Sequence, residues 1–138
     1  MKTGKTRAPV EQYNTINVTS SVEVADSHRL IQMLMQGTLE KIAIAKGCME
    51  RKEIANKGVH ITWAISIIEG LRASLNMEEG GEIAQNLENV YEYMIRCLLQ
   101  ANLENDITLL DEVSNLLITI KSAWDNLPDI INQPVEEK

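Results

Sequence analysis

The sequence predicts an all-α protein, an antiparallel four-helix bundle preceded by an extended N-terminal arm, and three observations carry that expectation. Apolar residues recur at intervals of three and four through four separate segments, as one face of a helix requires. Only three prolines and seven glycines interrupt 138 residues. Phenylalanine is absent and Leu, Ile, Ala, Glu and Asn dominate, a composition that favours helix over strand. A chain of this length makes one domain, expected to bury roughly 68% of the surface its unfolded form exposes. Its 44% hydrophobic and 24% charged residues are those of a folded domain rather than of a disordered chain.

Taken in order, residues 1–25 lack helical periodicity and carry clusters of Gly, Pro, Ser and Thr, so they read as a mobile tail running into an extended arm. Tyr13, Ile16, Val18, Val22 and Val24 give the arm an apolar side, and its β-branched residues favour extended backbone. The bundle is expected over 26–127. Asp26 or Ser27 caps a first helix that runs to about Arg51, with Ile31, Leu34, Met35, Thr38, Ile42, Ala45 and Met49 as its stripe. Gly37 interrupts that stripe at a cost near 1 kcal/mol relative to Ala, which predicts a close helix contact or a partner contact there.

Residues 52–57 read as a polar connection to a second helix, from about Gly58 to Asn76, with Ile61, Ala64, Ile65, Ile68, Leu71 and Leu75 inward. Trp63, Ile67 and the backbone near Gly70 fall outside that stripe, so this helix is either central or carries a surface meant to be covered. Gly80 and Gly81 mark a turn, after which Glu82 favours the positive end of a third helix reaching about Asn102. Its inward residues are Ile83, Ala84, Leu87, Tyr91, Met94, Leu98 and Ala101, while Tyr93, two positions from Tyr91, is turned away. Asn105 or Asp106 then caps a fourth helix after a very short turn, which makes the last two helices antiparallel neighbours. Leu109, Leu110, Val113, Leu117, Ile120 and Trp124 form its stripe. Pro128 is expected to stop it near Leu127, leaving 128–138 as a flexible acidic tail.

Charge and motif content argue against several functions. Net charge is -7, and from Glu78 to Glu112 nine carboxylates face the single cation Arg96, so a nucleic acid meets repulsion over much of the surface. Lys2, Lys5 and Arg7 are followed by polar residues rather than by the apolar core of a signal peptide, and no run approaches the roughly 20 apolar residues of a membrane span. A cytoplasmic protein without membrane insertion is the expectation. Cys48 and Cys97 sit in apolar helical patterns and read as buried free thiols. Gly4-Lys5-Thr6 mimics the end of a phosphate loop but lacks the upstream glycine and strand. Neither His28 nor His60 has a Glu three positions earlier, as a di-iron bundle needs, and two isolated histidines make no zinc site. Neither an enzyme nor a bound cofactor is expected.

From Ile65 onward the chain resembles a known family. The run Ile65-Ser66-Ile67-Ile68-Glu69-Gly70-Leu71-Arg72-Ala73-Ser74-Leu75-Asn76-Met77-Glu78-Glu79-Gly80-Gly81-Glu82 is similar to the flagellar secretion chaperone family, FliS, whose members join two helices at Gly-Gly-Glu. Val90-Tyr91-Glu92-Tyr93 resembles that family's Leu-Tyr-Asp-Tyr run, and Leu99-Gln100-Ala101-Asn102-Leu103-Glu104-Asn105-Asp106 its Leu-x-Ala-Asn-x-x-Asn-Asp turn. Ala123-Trp124 matches a late Ala-Trp. The resemblance spans about Tyr13 to Leu127. It departs at Asp26-Ser27, where the family has Ser-Pro, at Met35-Gln36-Gly37-Thr38, where it has an aromatic-Asp-Gly-Ala run, and at Trp63, where it is usually polar.

The resemblance implies a helical bundle that holds the disordered C-terminal segment of flagellin in the cytosol, prevents premature polymerisation and delivers the segment to the flagellar type III export apparatus. It implies that Tyr13 and Ile16 belong to an arm that covers the groove and contacts an export-gate component. The side chains expected to line the client groove are Trp63, Ile67, Leu71, Leu87 and Tyr93. Whether the chain is a monomer or an arm-exchanged homodimer is left open, and the competing expectation is a bundle adaptor for a folded flagellar or regulatory partner.

Overall fold

The computed structural model describes residues 16–132, with side chains described over 26–127. Four helices and no strand occur among these residues: α1 (Ile16–Glu50), α2 (Ile54–Ala73), α3 (Met77–Glu104) and α4 (Ile107–Asn132). The chain divides into two compact units, Met1–Ile31 and Gln32–Lys138. The first unit contributes the opening turns of α1, on which Asp26, Ser27, Arg29 and Leu30 are exposed. The second is the bundle.

Several boundaries differ from the sequence expectation: α2 ends at Ala73 rather than near Asn76, and α3 begins at Met77 rather than near Glu82, so the expected turn is helical apart from the break at Gly81. α1 begins at Ile16 rather than at Asp26 or Ser27, so backbone expected to be extended up to residue 25 is helical. β-branched residues lower helix propensity by only a few tenths of a kcal/mol each, while the large cost in a helix is nucleation, so Val18, Val22 and Val24 do not stop one that already continues into the bundle. Tyr13 and the rest of the expected arm lie outside the described residues. α4 runs through Pro128 to Asn132 instead of stopping at Leu127, because a missing N–H removes one rung of a ladder whose neighbouring rungs persist. The remainder of the expected tail, 133–138, also lies outside the described residues. α2 begins at Ile54 rather than Gly58, which shortens the connection to three residues with Lys52 in the left-handed region.

Cross-helix ties fix the register of the bundle. Lys46 Nζ meets Asp111 Oδ1 at 2.9 Å and Gln32 Nε2 donates to Asp125 Oδ1 at 2.8 Å, so positions rise along α1 as they fall along α4. Lys41 with Trp63 sets the same relation for α1 and α2, where Ile67 also faces Gly37. For α2 and α3 the pairs are Lys57 with Asn102 and Arg72 with Glu88. Tyr93 donates to Glu112 between α3 and α4. Each helix is antiparallel to the two beside it, and the α4–α1 seam closes an up-down-up-down bundle.

The turns are held by local chemistry. Asn76 caps α3 by accepting from the Glu79 N–H at 2.9 Å, and Glu78 and Glu79 occupy the first turn, where the helix dipole favours negative charge. Gly81 breaks this helix with φ 53° and ψ -127°, a conformation open in practice to glycine alone. At Gly80 the demand is space, since an added Cβ would stand 2.6 Å from the Ala84 Cβ. Asn105 ends α3 in the left-handed conformation, and Asp106 caps α4 by accepting from the Thr108 N–H at 3.0 Å. These hydrogen bonds, the Thr108 hydroxyl's first, hold the Asp106 carboxyl below its ordinary value.

The core matches the predicted stripes closely. Met35, Ile42, Ile61, Ile68, Met94, Leu98, Leu110, Val113 and Leu117 are fully enclosed. Thr38, also fully buried, donates from Oγ1 to the Leu34 carbonyl at 2.9 Å, so its hydroxyl is satisfied within its own helix. Cys48 and Cys97 are buried free thiols. Ile31, Leu34, Ile65, Leu75, Leu87, Leu109, Ile120 and Trp124 of those stripes are half-buried at the core's edge, and one expected core residue lies outside altogether: Ile83 is 72% exposed. It stands beyond Arg72–Glu88, the last tie to α2, where no α2 backbone remains to cover it.

Candidate protein-binding surface

With the core closed, the functional question passes to large apolar side chains that folding leaves outside. Trp63 is 50% exposed on the flank of α2 that faces α1. The Lys41 ammonium stands 3.6 Å from its ring centroid, and His60 stacks with it at 6.2 Å between centroids and 25° between planes. A cation over a half-exposed indole contributes about 0.5–1 kcal/mol, enough to bias the ring's orientation without covering it. Ile67, one turn on, is half-buried on the same flank. A methyl added to Gly37 would meet its Cδ1 at 3.7 Å, an ordinary contact, so the close helix approach expected at Gly37 is not what keeps that residue a glycine.

The other residues expected to line the groove stand elsewhere. Leu71 is 1% exposed and belongs to the core, because it continues the Ile61, Ala64, Ile68 stripe; it cannot line an open groove. Leu87 is half-buried on the core-facing stripe of α3. Tyr93 is exposed on the α4 side of α3, with its hydroxyl donating to Glu112 and the Arg96 guanidinium 5.7 Å from its ring centroid. That hydrogen bond, donated to a carboxylate, holds the phenol well above its ordinary value and therefore protonated. The five residues thus divide between two opposite seams and the core. Ile16 opens α1, and nothing of its side chain is described.

Sequence reasoning passed over other parts of the outer surface. Ile54, Val59, Leu99 and Leu103 are all exposed, Leu103 at 82%. Leu99 and Leu103 fall off the apolar stripe of α3, the same signal that singled out Trp63, so they were open to detection. Lys57, assigned to a polar connection, is only 3% exposed. Its Nζ donates to the Asn102 carbonyl at 2.8 Å and to Asn105 Oδ1 at 2.5 Å, at the negative end of α3. Asn102 and Asn105 of the Ala-Asn-x-x-Asn-Asp turn therefore anchor a lysine, a structural task rather than a partner contact.

A finished core beneath a surface set with large apolar side chains defines the class, a four-helix bundle with apolar surface left uncovered. Comparison with known proteins agrees: the family described as Flagellar protein FliS matches residues 9–130. The chain is 52% identical over 118 residues to the flagellar secretion chaperone FliSB of Pseudomonas aeruginosa, covering 86% of this chain and 94% of that one. It is 43% identical over 120 residues to the flagellar secretion chaperone FliS of Salmonella typhimurium, covering 86% and 89%, and 39% identical over 122 residues to that of Vibrio cholerae, covering 88% and 90%. The chain belongs to the flagellar secretion chaperone family, FliS, and is a chaperone rather than an enzyme. No helix among the described residues is long and apolar enough to cross a membrane.

Proposed function

We propose that this protein holds the disordered C-terminal segment of flagellin in the cytosol, keeps it from polymerising early and delivers it to the flagellar type III export apparatus. The observation that carries the reading is Trp63: a half-exposed tryptophan beside half-buried Ile67 on a bundle whose core is already complete. A disordered apolar segment gains by folding against such a surface, and the ordering consumes about 2–5 kcal/mol of the gross interaction, which leaves the complex able to release its cargo. Tyr13 and Ile16 are proposed to contact the export gate, and exchange of their segment between two copies is the proposed route to any dimer.

Titration calorimetry with the last 40 or so residues of the organism's own flagellin tests the proposal, with tight 1:1 binding and a negative heat-capacity change expected. Trp63→Ala is expected to weaken binding about tenfold, the loss of one aromatic anchor, while changing stability by less than about 1 kcal/mol because the ring is half in water already. Absence of binding by the unaltered chain would turn the search to a folded flagellar or regulatory partner.

A further inference from the structure

Lys41 is a cation set against an aromatic ring with no anion beside it. Its ammonium stands 3.6 Å from the Trp63 ring centroid. Among the described residues Lys46, Arg51, Arg72 and Lys121 each meet a carboxylate, whereas none forms an ion pair with Lys41. Glu40, next to it in sequence, accepts from Gln36 at 3.3 Å instead. The facing helix supplies no acid either. From Ile54 to Ile68, α2 carries neither Asp nor Glu, and the acids that bound this stretch, Glu53 and Glu69, are held by Arg51 and Arg72. His60, stacked on the same ring, directs its Nδ1 to the Asn56 carbonyl at 2.9 Å. On a chain of net charge -7, the Trp63 flank is a place where positive charge stands unanswered.

The rest of the neighbourhood is apolar. Gly37, one turn before Lys41, puts no side chain beside Ile67, while Met33, a further turn back, and Ile44, nearly a turn on, are exposed. A segment that docks over Trp63 and Ile67 therefore also strips water from the Lys41 ammonium. The indole face satisfies that group on one side only, and an ammonium carries three N–H donors. A segment with nothing but apolar side chains leaves the remaining donors dry, and one that brings Lys or Arg adds like charge. A carboxylate next to the docked side chain replaces the lost water. We infer that Lys41 is a specificity-determining residue of this flank, selecting segments that set an Asp or Glu beside the apolar side chain seated on the indole. The inference rests on the flagellin reading above and adds to it the charge that the bound segment must carry and the residue that reads it.

The test titrates the full-length chain with the same flagellin segment at low and at high salt. Lys41→Met keeps an unbranched stem against the ring and removes the charge; it is expected to bind about fivefold more weakly at low salt, with the difference closing at high salt. Lys41→Arg keeps a cation over the ring and is expected to bind within about twofold of the unaltered chain. Replacing the segment's carboxylates one at a time by their amides should then find a position whose loss weakens binding to the unaltered chain several-fold and to Lys41→Met not at all. Unchanged affinity in Lys41→Met, an Arg variant as weak as the Met one, or segment variants that weaken both proteins alike would each overturn the inference and leave the flagellin reading standing. Failure of the unaltered chain to bind overturns the reading, and the inference with it.

Discussion

Replacing Lys57 by Met is expected to lower the stability of the bundle by about 2 kcal/mol, and replacing it by Ala by about 3 kcal/mol, read as shifts in the urea unfolding midpoint. The lysine sits near the start of α2, where its own helix dipole disfavours a cation, so local chemistry argues against it. What offsets that cost is the far side of the seam: the Asn102 carbonyl and the Asn105 side chain both accept from Nζ at the carbonyl end of α3. Met keeps most of the buried stem and discards the charge, stranding two acceptors that water reaches only in part; Ala also discards the packing of the stem. Equal effects of the two substitutions would mean that the stem alone matters and that the hydrogen bonds contribute nothing.

Leu71→Ala should cost about 3 kcal/mol of stability, in the middle of the range for emptying a closed core site, and lower Tm by roughly 10 °C. Affinity for flagellin's C-terminal segment, measured where the variant is fully folded, should stay within about twofold of the unaltered chain. Trp63→Ala should give the opposite pattern, since Trp63 is half in water and Leu71 is enclosed. The pair is therefore a direct discriminator between core and surface on one helix. Lost affinity at unchanged stability in Leu71→Ala would return that residue to the groove.

The contrast also shows where the sequence could be read and where it could not. Spacing of three and four placed Ile42, Ile61, Ile68, Met94, Leu98, Val113 and Leu117 in the core, because burial follows directly from helical phase. The Asp106 cap and the glycine at 81 were equally legible, since each is a local conformational requirement, whereas the Asn76 cap was not, because the second helix was expected to run through it. Phase says nothing about which neighbour covers a flank. Trp63 and Tyr93 were both rightly placed off their stripes, yet one faces α1 and the other α4, a distinction set by the order of helices around the bundle. Lys57 was invisible for a related reason, since its partners lie at the far end of another helix. The end of α4 was misjudged because a proline rule taken alone ignores the rungs on either side.

The α1–α4 seam differs from the other three in how the chain arrives at it. Helices α1 and α2, α2 and α3, and α3 and α4 are hairpins closed by short turns, but Lys46–Asp111 and Gln32–Asp125 join residues 65 and 93 positions apart. The Lys46–Asp111 tie is also well exposed, at 40% and 48% for its two side chains, so it contributes little to hold that seam. Closing it draws in nearly the whole chain, whereas each hairpin forms within a local stretch. Its opening would part α1 from α4 without melting a helix. Amide exchange should be faster along the α4-facing side of α1 than in the centre of α3, and uniform protection would show that the bundle opens only as a whole. A protein built from three hairpins and one long-range seam is expected to open first where α1 and α4 meet.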